Sequence, residues 1–409
     1  RSIYTRFSTK LSQRVDTSRS MNIRRSWLIS LLKPDLYIPA GLALTGILYA
    51  IATLDRSSYW LNYDTPQQAV EALDFITGCW NSGSGKPGVV LTLASIYHLF
   101  GPSALAETVV LVGLRALTIV SVYHLTFQIS RSRLLATISG LFALALPAYL
   151  YYSRTHIGHP VAWLMFGILA LSTQRWWLAG PCLTMSIMAH GTFILPVGLL
   201  ISASIFTGHI PNSVKAWGQF LGFMALPWLF YEALGYAFTG ILFEWTRGTI
   251  AWIFFYQRSF QQTDWMHVWE TVRLANQSIL SILLAASVLY PFVWRKKKDF
   301  GMCIYVTAWG VLGIYTVRAG LTHGRFIPRA IAGIYLVLAV LAVITLGEML
   351  RRASQRIPKA LSRKPAYRIA ALLVSIAFVA TFTPNLLALR EFSRTAYPAV
   401  EAVFREAAL

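Results

Sequence analysis

Apolar runs long enough to cross a lipid bilayer recur along most of this chain, and the first, LYIPAGLALTGILYAIATL, occupies 36–54. A helix needs about 20 apolar residues to cross roughly 30 Å of hydrocarbon. Inside that layer only a helix or a closed barrel satisfies its own backbone hydrogen bonds. These runs are continuous rather than alternating, which favours helices. Composition agrees. The chain is 56% hydrophobic and 13% charged, whereas soluble domains carry about 25% charge, and its mean hydropathy is +0.54. The expectation is an all-α polytopic membrane protein.

The formal charge of +20 invites a nucleic-acid reading until the charges are placed. Spans are expected at about 36–54, 106–130, 134–152, 160–173, 214–234, 276–294, 299–318, 330–349 and 369–388. The segment 177–206 reads either as one long helix or as two short spans meeting near His190-Gly191. One long helix would put Arg295-Lys296-Lys297-Lys298 and the basic cluster from Arg351 to Arg368 outside. The positive-inside rule therefore selects two short spans, giving eleven, with the amino terminus cytoplasmic and the carboxyl terminus outside. Most of the Lys and Arg then face the cytoplasm, accompanied there only by Asp16, Asp35, Asp299 and Glu348. This charge orients the chain and attracts anionic lipid; a nucleic-acid partner is not expected.

Residues 1–35 read as a basic cytoplasmic tail, 36–388 as the transmembrane domain and 389–409 as a short outer tail. The outer loops fall at about 55–105, 153–160, 235–275 and 319–329. Residues 1–20 are rich in Arg and Ser, as transit peptides and cytoplasmic tails both are. The expected location is the plasma (inner) membrane, or the endoplasmic reticulum membrane in a eukaryotic cell. Cys79, Cys182 and Cys303 indicate neither a disulfide framework nor a cysteine-rich metal site.

The first outer loop carries the most legible local chemistry. Thr65-Pro66-Gln67-Gln68 supplies a cap, a proline at the first helical position and a glutamine three after the cap, and Gly78 ends that helix. Asp64 stands directly before it. It is either a simple helix cap or a carboxylate available as a base, a metal ligand or an acceptor for a ligand hydroxyl. Lys86, in SGSGKPG, resembles a phosphate-binding P-loop, but Trp80 stands where the first glycine belongs and Pro87 replaces the Ser/Thr. It is either a snorkelling surface lysine or a partner for a lipid phosphate. The following apolar stretch, 88–101, is too short for a span and reads as a juxtamembrane helix.

On the expected topology, Asp64, Glu71, Asp74, Lys86, His98, Arg154, His156, His159, His190, Glu232, His267, His323, Arg325 and Arg329 all collect on the outer side. Charges at the bilayer centre cost about 2.5–3.5 kcal/mol each on insertion scales, so such a collection around short helices marks a candidate site. His156, Gly158, His159 and Pro160 read as an outer turn, and His190 as the junction of two short spans. Arg325 and Arg329 open a span from outside; they suit headgroup anchoring or a bidentate grip on phosphate. Arg115 falls inside a span. In the outer loop 235–275, Trp265, Val268, Trp269 and Val272 share one helical face, as an interfacial helix or a lid would.

Several of these residues occur in a familiar order. Asp64 after the first span, Lys86-Pro87, then Leu99-Phe100-Gly101, and Arg115 in the next span, are followed by Tyr152-Ser153-Arg154. Trp177-Leu178-Ala179-Gly180 runs on to His190, and Pro227-Trp228 and Arg325-Phe326-Ile327-Pro328 come later. Over about 36–350 this resembles the GT-C superfamily of integral-membrane glycosyltransferases, in the branch of protein O-mannosyltransferases and lipid A aminoarabinose transferases. The chain departs from that pattern where Thr65, not a second acid, follows Asp64. His156 and His159 also stand where an acid is common, and no large soluble domain follows the last span.

The resemblance implies inverting transfer of a sugar from a polyprenyl-phosphate donor to a lipid, glycan or protein acceptor on the outer face. It implies Asp64 as general base, with Lys86, Arg154, His190, Arg325 and Arg329 at the substrate phosphate. Asp74, His156 and His159 are accessory candidates, and a divalent metal is left open. Two other readings compete. A transporter or flippase of a lipid-linked sugar would show transport without a new glycosidic bond, and a non-catalytic membrane subunit would lose assembly, not turnover, when Asp64 or Lys86 is replaced.

Overall fold

The computed structural model describes residues 36–53, 64–79, 86–146, 158–210, 213–256, 285–294, 299–321 and 332–356, and every regular element among them is a helix. They are α1 (Tyr37–Thr53), α2 (Asp64–Ile76), α3 (Pro87–Phe100), α4 (Ala104–Ser130), α5 (Arg133–Ala145), α6 (Gly158–Ser172), α7 (Trp176–Ala189), α8 (Ile194–Phe206), α9 (Val214–Thr239), α10 (Glu244–Tyr256), α11 (Tyr290–Val293), α12 (Phe300–Leu321) and α13 (Ala332–Arg356). The chain divides into residues 1–41, of which 36–41 are described, and residues 42–409, which hold α2 to α13 entire.

Among the described residues, three helices are long and apolar enough to cross a membrane: α4 over Val109–Ser130, α12 over Phe300–Val317 and α13 over Gly333–Ala353. Helices α9 and α10 qualify together but are bent by 109° at their junction. Shorter apolar helices stand where the sequence predicts further spans, among them α1, α5, α6 and the 191–206 segment. The span expected at 369–388 and the amphipathic stretch around Trp265 lie outside the described residues, as does the part of 276–294 before residue 285.

Local chemistry explains the helix ends. Ser103, Ser132 and Ser213 each accept a backbone N–H from three residues on, at 3.1 Å, 3.4 Å and 3.2 Å, and so cap α4, α5 and α9. Gly78 follows α2 with φ +83° and Gly240 follows α9 with φ +69°, the left-handed conformation that glycine takes without steric cost.

Of the boundaries that differ from the sequence reading, three have a local cause in the chain. Helix α2 already includes Asp64, because Pro66 falls in a first turn whose N–H groups have no acceptor anyway. Helix α6 starts at Gly158, so His159 and Pro160 form its first turn, not an outer turn. Helix α5 ends at Ala145, and Leu146 leaves it in an extended conformation (ψ 115°), as a residue before proline must.

Helices α6 and α7 pack antiparallel. Ser186 Oγ donates to the Pro160 carbonyl at 2.8 Å, and Gly167 lies against Leu183. The next layer forms where a Cβ on Gly180 of α7 would come within 2.8 Å of the Met224 nitrogen and 2.9 Å of the Phe220 carbonyl oxygen in α9, an approach open only to glycine. Thr184 Oγ1 adds a hydrogen bond to the Met224 carbonyl at 2.7 Å. Helix α12 runs back along α8: Cys303 meets Ser204 at 3.0 Å, Gly310 meets Leu199, and Tyr315 reaches Thr192. Cys79 is exposed and Cys182 and Cys303 are buried, all three as free thiols.

Candidate functional site

The site begins at Lys86, the residue that precedes the first turn of α3. Its carbonyl accepts the N–H groups of Val89 (2.9 Å) and Val90 (3.3 Å), and Pro87 supplies the fixed φ suited to the first helical position. One residue later, Gly88 presses onto the last turn of α7. A Cβ there would lie 2.6 Å from the Ala189 nitrogen and 2.8 Å from the Met185 carbonyl oxygen. Both neighbours are backbone, so the contact depends on the absence of a side chain. It places the start of α3 beside the end of α7.

His190 ends α7, and its backbone N–H bonds to the Ser186 and Ile187 carbonyls. Its backbone is extended and its side chain caps the turn Gly191–Phe193, with Nδ1 accepting from the Thr192 N–H at 3.4 Å. The Thr192 hydroxyl lies 2.8 Å from the same nitrogen. A ring nitrogen that accepts carries no proton, so this pattern assigns the proton of the neutral imidazole to Nε2, as a donor. Tyr315 of α12 closes the turn by donating its hydroxyl to the Thr192 carbonyl at 3.0 Å.

The amino end of α6 joins the same corner through the Ser186–Pro160 bond. His159, one residue before, is 2% exposed, and its Nδ1 finds no partner among the described residues. Trp163 lies one turn further along α6 and packs on the core formed by Val89, Ala162 and Ala189. The first turn of α13 reaches this corner too, where Gly333 lies near Val161 and Phe193. Three residues selected from sequence, Lys86, His159 and His190, thus stand on helix ends that the fold brings together.

Helix α2 packs against α3, with Ala72 in the same core cluster as Val89 and Val90. Its inner face is unexpectedly polar: Gln68 and Glu71 are each 4% exposed. Gln67 Nε2 donates to Glu71 Oε1 at 2.9 Å, while Glu71 Oε2 and Gln68 Oε1 have no partner among the described residues. A buried acceptor left unpaired costs about 1–3 kcal/mol, so these atoms are noteworthy. The sequence reading groups Glu71 with the outer polar residues and takes Gln68 as part of a cap. The available signal is their spacing with Ala72, which puts all three on one face.

Asp64 is the first residue of α2, and its side chain lies outside the described residues. Asp74 is half-buried, and its carbonyl receives the Thr77 hydroxyl and the Cys79 N–H in the turn that ends the helix. Arg115 is buried within α4, 3% exposed. Arg154, His156, Arg325 and Arg329 lie outside the described residues. No three His, Cys, Asp or Glu side chains gather into a metal-holding group among the described residues.

Two further polar clusters lie elsewhere. At the bend between α9 and α10, buried Glu232 accepts the Thr246 N–H at 2.9 Å, and Trp228 Nε1 donates to the Thr246 hydroxyl at 2.9 Å. Beyond the carboxyl end of α8, Asp299 caps α12 by accepting the Met302 N–H at 3.1 Å, and also receives Trp294 Nε1 and the Tyr290 hydroxyl. Burial pushes the Asp299 carboxyl above its usual range, and these hydrogen bonds offset part of the shift. Burial holds the neighbouring His209 imidazole below its ordinary value, against the opposing pull of the Asp299 charge.

No family model, curated protein or solved structure matches this chain.

Proposed function

We propose that this protein is a membrane glycosyltransferase that moves a sugar from a polyprenyl-phosphate donor to an acceptor on the outer face of the membrane, with inversion. On this reading the chain crosses the membrane eleven times, amino terminus inside, and the Lys86–His159–His190 corner lies at the outer surface. The observation that carries the proposal is the meeting of the α3 start, the α6 start and the α7 end. A lysine, a histidine whose Nδ1 is held by its own following turn and a buried imidazole thereby share one end of the fold.

The chemistry follows from the residue types. Asp64 takes the proton of the acceptor hydroxyl as general base while that oxygen attacks the anomeric carbon. The bond to the phosphate oxygen breaks, and polyprenyl phosphate leaves with the electron pair. General-base assistance is worth about 10²–10⁴-fold. Lys86, His190, Arg154, Arg325 and Arg329 stabilise the negative charge gathering on the departing phosphate. Asp74, His156 and His159 support the binding of the substrates. A divalent metal, if bound, would neutralise phosphate charge.

Mass spectrometry of membrane lipids and surface glycans, with and without this protein, tests the reading. A glycosylated product should disappear and its lipid-linked donor accumulate when the protein is missing. Unchanged lipids and glycans would argue against the proposal. Accumulation of a flipped but intact lipid-linked sugar in its presence would indicate transport instead.

A further inference from the structure

We infer that Gln68 and Glu71, on the buried face of α2, bind neighbouring hydroxyl groups of a sugar ring. The inference rests on the reading that this protein handles sugars, and adds residues to it that no resemblance supplies. Both side chains are 4% exposed, and each turns one acceptor atom, Gln68 Oε1 and Glu71 Oε2, into the interior with no partner among the described residues. They stand three residues apart, so both project from one face of the helix. Gln67 holds the other carboxylate oxygen at 2.9 Å, which fixes the rotamer and leaves Oε2 as the available atom.

Buried acceptors are normally paired; two left open on one face define what would complete them. A pair of hydrogen-bond donors a few ångströms apart is what two adjacent ring hydroxyls offer. Each hydroxyl both donates and accepts, so the match survives either orientation of the Gln68 amide. Ala72, one residue beyond Glu71, belongs to the same core cluster as Val89, three residues after Lys86. The pair is therefore carried by the helix that packs on the phosphate-side helix α3. Sites that hydrogen-bond a ligand hydroxyl discriminate strongly against ligands lacking it. Gln68 and Glu71 then set which sugar is accepted, without taking part in bond making.

The test uses the full chain in lipid nanodiscs and three probes: a polyprenyl-phosphate hexose, bare polyprenyl phosphate, and an octyl hexoside, which has hydroxyls but no phosphate. Glu71→Gln and Gln68→Met keep side-chain size. Each should weaken the binding of whichever hexose-bearing probe occupies the site about tenfold and leave bare polyprenyl phosphate unaffected. Loss on the phosphate hexose alone places the donor sugar at the pair; loss on the octyl hexoside places the acceptor sugar there. In the empty protein, Gln68→Met should hold or raise the thermal unfolding midpoint, because it removes a buried carbonyl oxygen that has no partner among the described residues. Equal loss on all three probes, no loss on either hexose, or a lowered midpoint for empty Gln68→Met overturns the inference. If the wild type ignores both polyprenyl lipids yet binds octyl hexoside through this pair, the transferase reading fails while the hydroxyl site stands.

Discussion

Lys86 and His190 reach one corner by different routes, and each leaves a separate signature. Lys86 is held by a proline-initiated helix start, and His190 by a cap on its own following turn. Replacing Lys86 by Ala should raise the apparent KM for a phosphate-linked donor roughly ten- to a hundredfold, since hydrogen bonds to charged groups are worth about 1.5–3 kcal/mol. Steady-state kinetics at varied donor concentration would show it; an unchanged KM would return Lys86 to the role of a surface lysine. A different prediction follows at His209, whose imidazole lies 3.0 Å from the Thr207 hydroxyl and edge-on to Phe300. Its folded-state value lies below the unfolded one of about 6.5. The unfolded chain therefore binds the proton first, and stability declines as pH falls below about 6.5. His209→Gln should flatten the loss of thermal midpoint between pH 7 and pH 5, and an undiminished pH slope would exclude His209 as its source.

Among the elements, α3 is the one on which the site most depends, and Gly88 is its point of attachment. Gly88→Ala would drive a methyl group into the backbone of Met185 and Ala189, with an overpacking cost of about 1–3 kcal/mol. Thermal unfolding should drop accordingly, and activity should fall further than stability because Lys86 moves with the helix start. Retention of both would mean that α3 can shift freely against α7. This contact is not visible in the chain read alone. The sequence 86–101 announces a helix through its proline and its apolar run, but its packing partner is a hundred residues away. The break at His190-Gly191 is legible because one long helix would reverse the basic clusters. The polar inner face of α2 is hidden in the sequence because a local cap motif accounts for the same glutamine. The start of α6 is easily misplaced because Gly-His-Pro resembles a turn until Ser186 is seen to hold the Pro160 carbonyl.

At the scale of the whole molecule, the apolar runs make the all-helical character legible, since hydropathy responds to bilayer thickness directly. Span orientation depends on charge distributed over the entire chain and is a proposal that native cysteines can test. Cys79 is exposed, whereas Cys182 and Cys303 are buried, so a membrane-impermeant maleimide added to intact cells should label Cys79 alone. Labelling only after permeabilisation would invert the proposed topology. The Asp299 cluster escapes a sequence reading for a related reason: Trp294 and Tyr290 flank a basic stretch whose charge dominates the local pattern, and only folding turns both side chains onto the carboxylate.

The most direct measurement is turnover by the full chain in proteoliposomes, with Asp64 intact and replaced by Asn, following release of polyprenyl phosphate from a hexose-linked donor in the presence of acceptor. The account predicts that Asp64→Asn is expressed and folded, still binds the donor, and loses about 10²–10⁴-fold in rate. Near-normal turnover in that variant would contradict it.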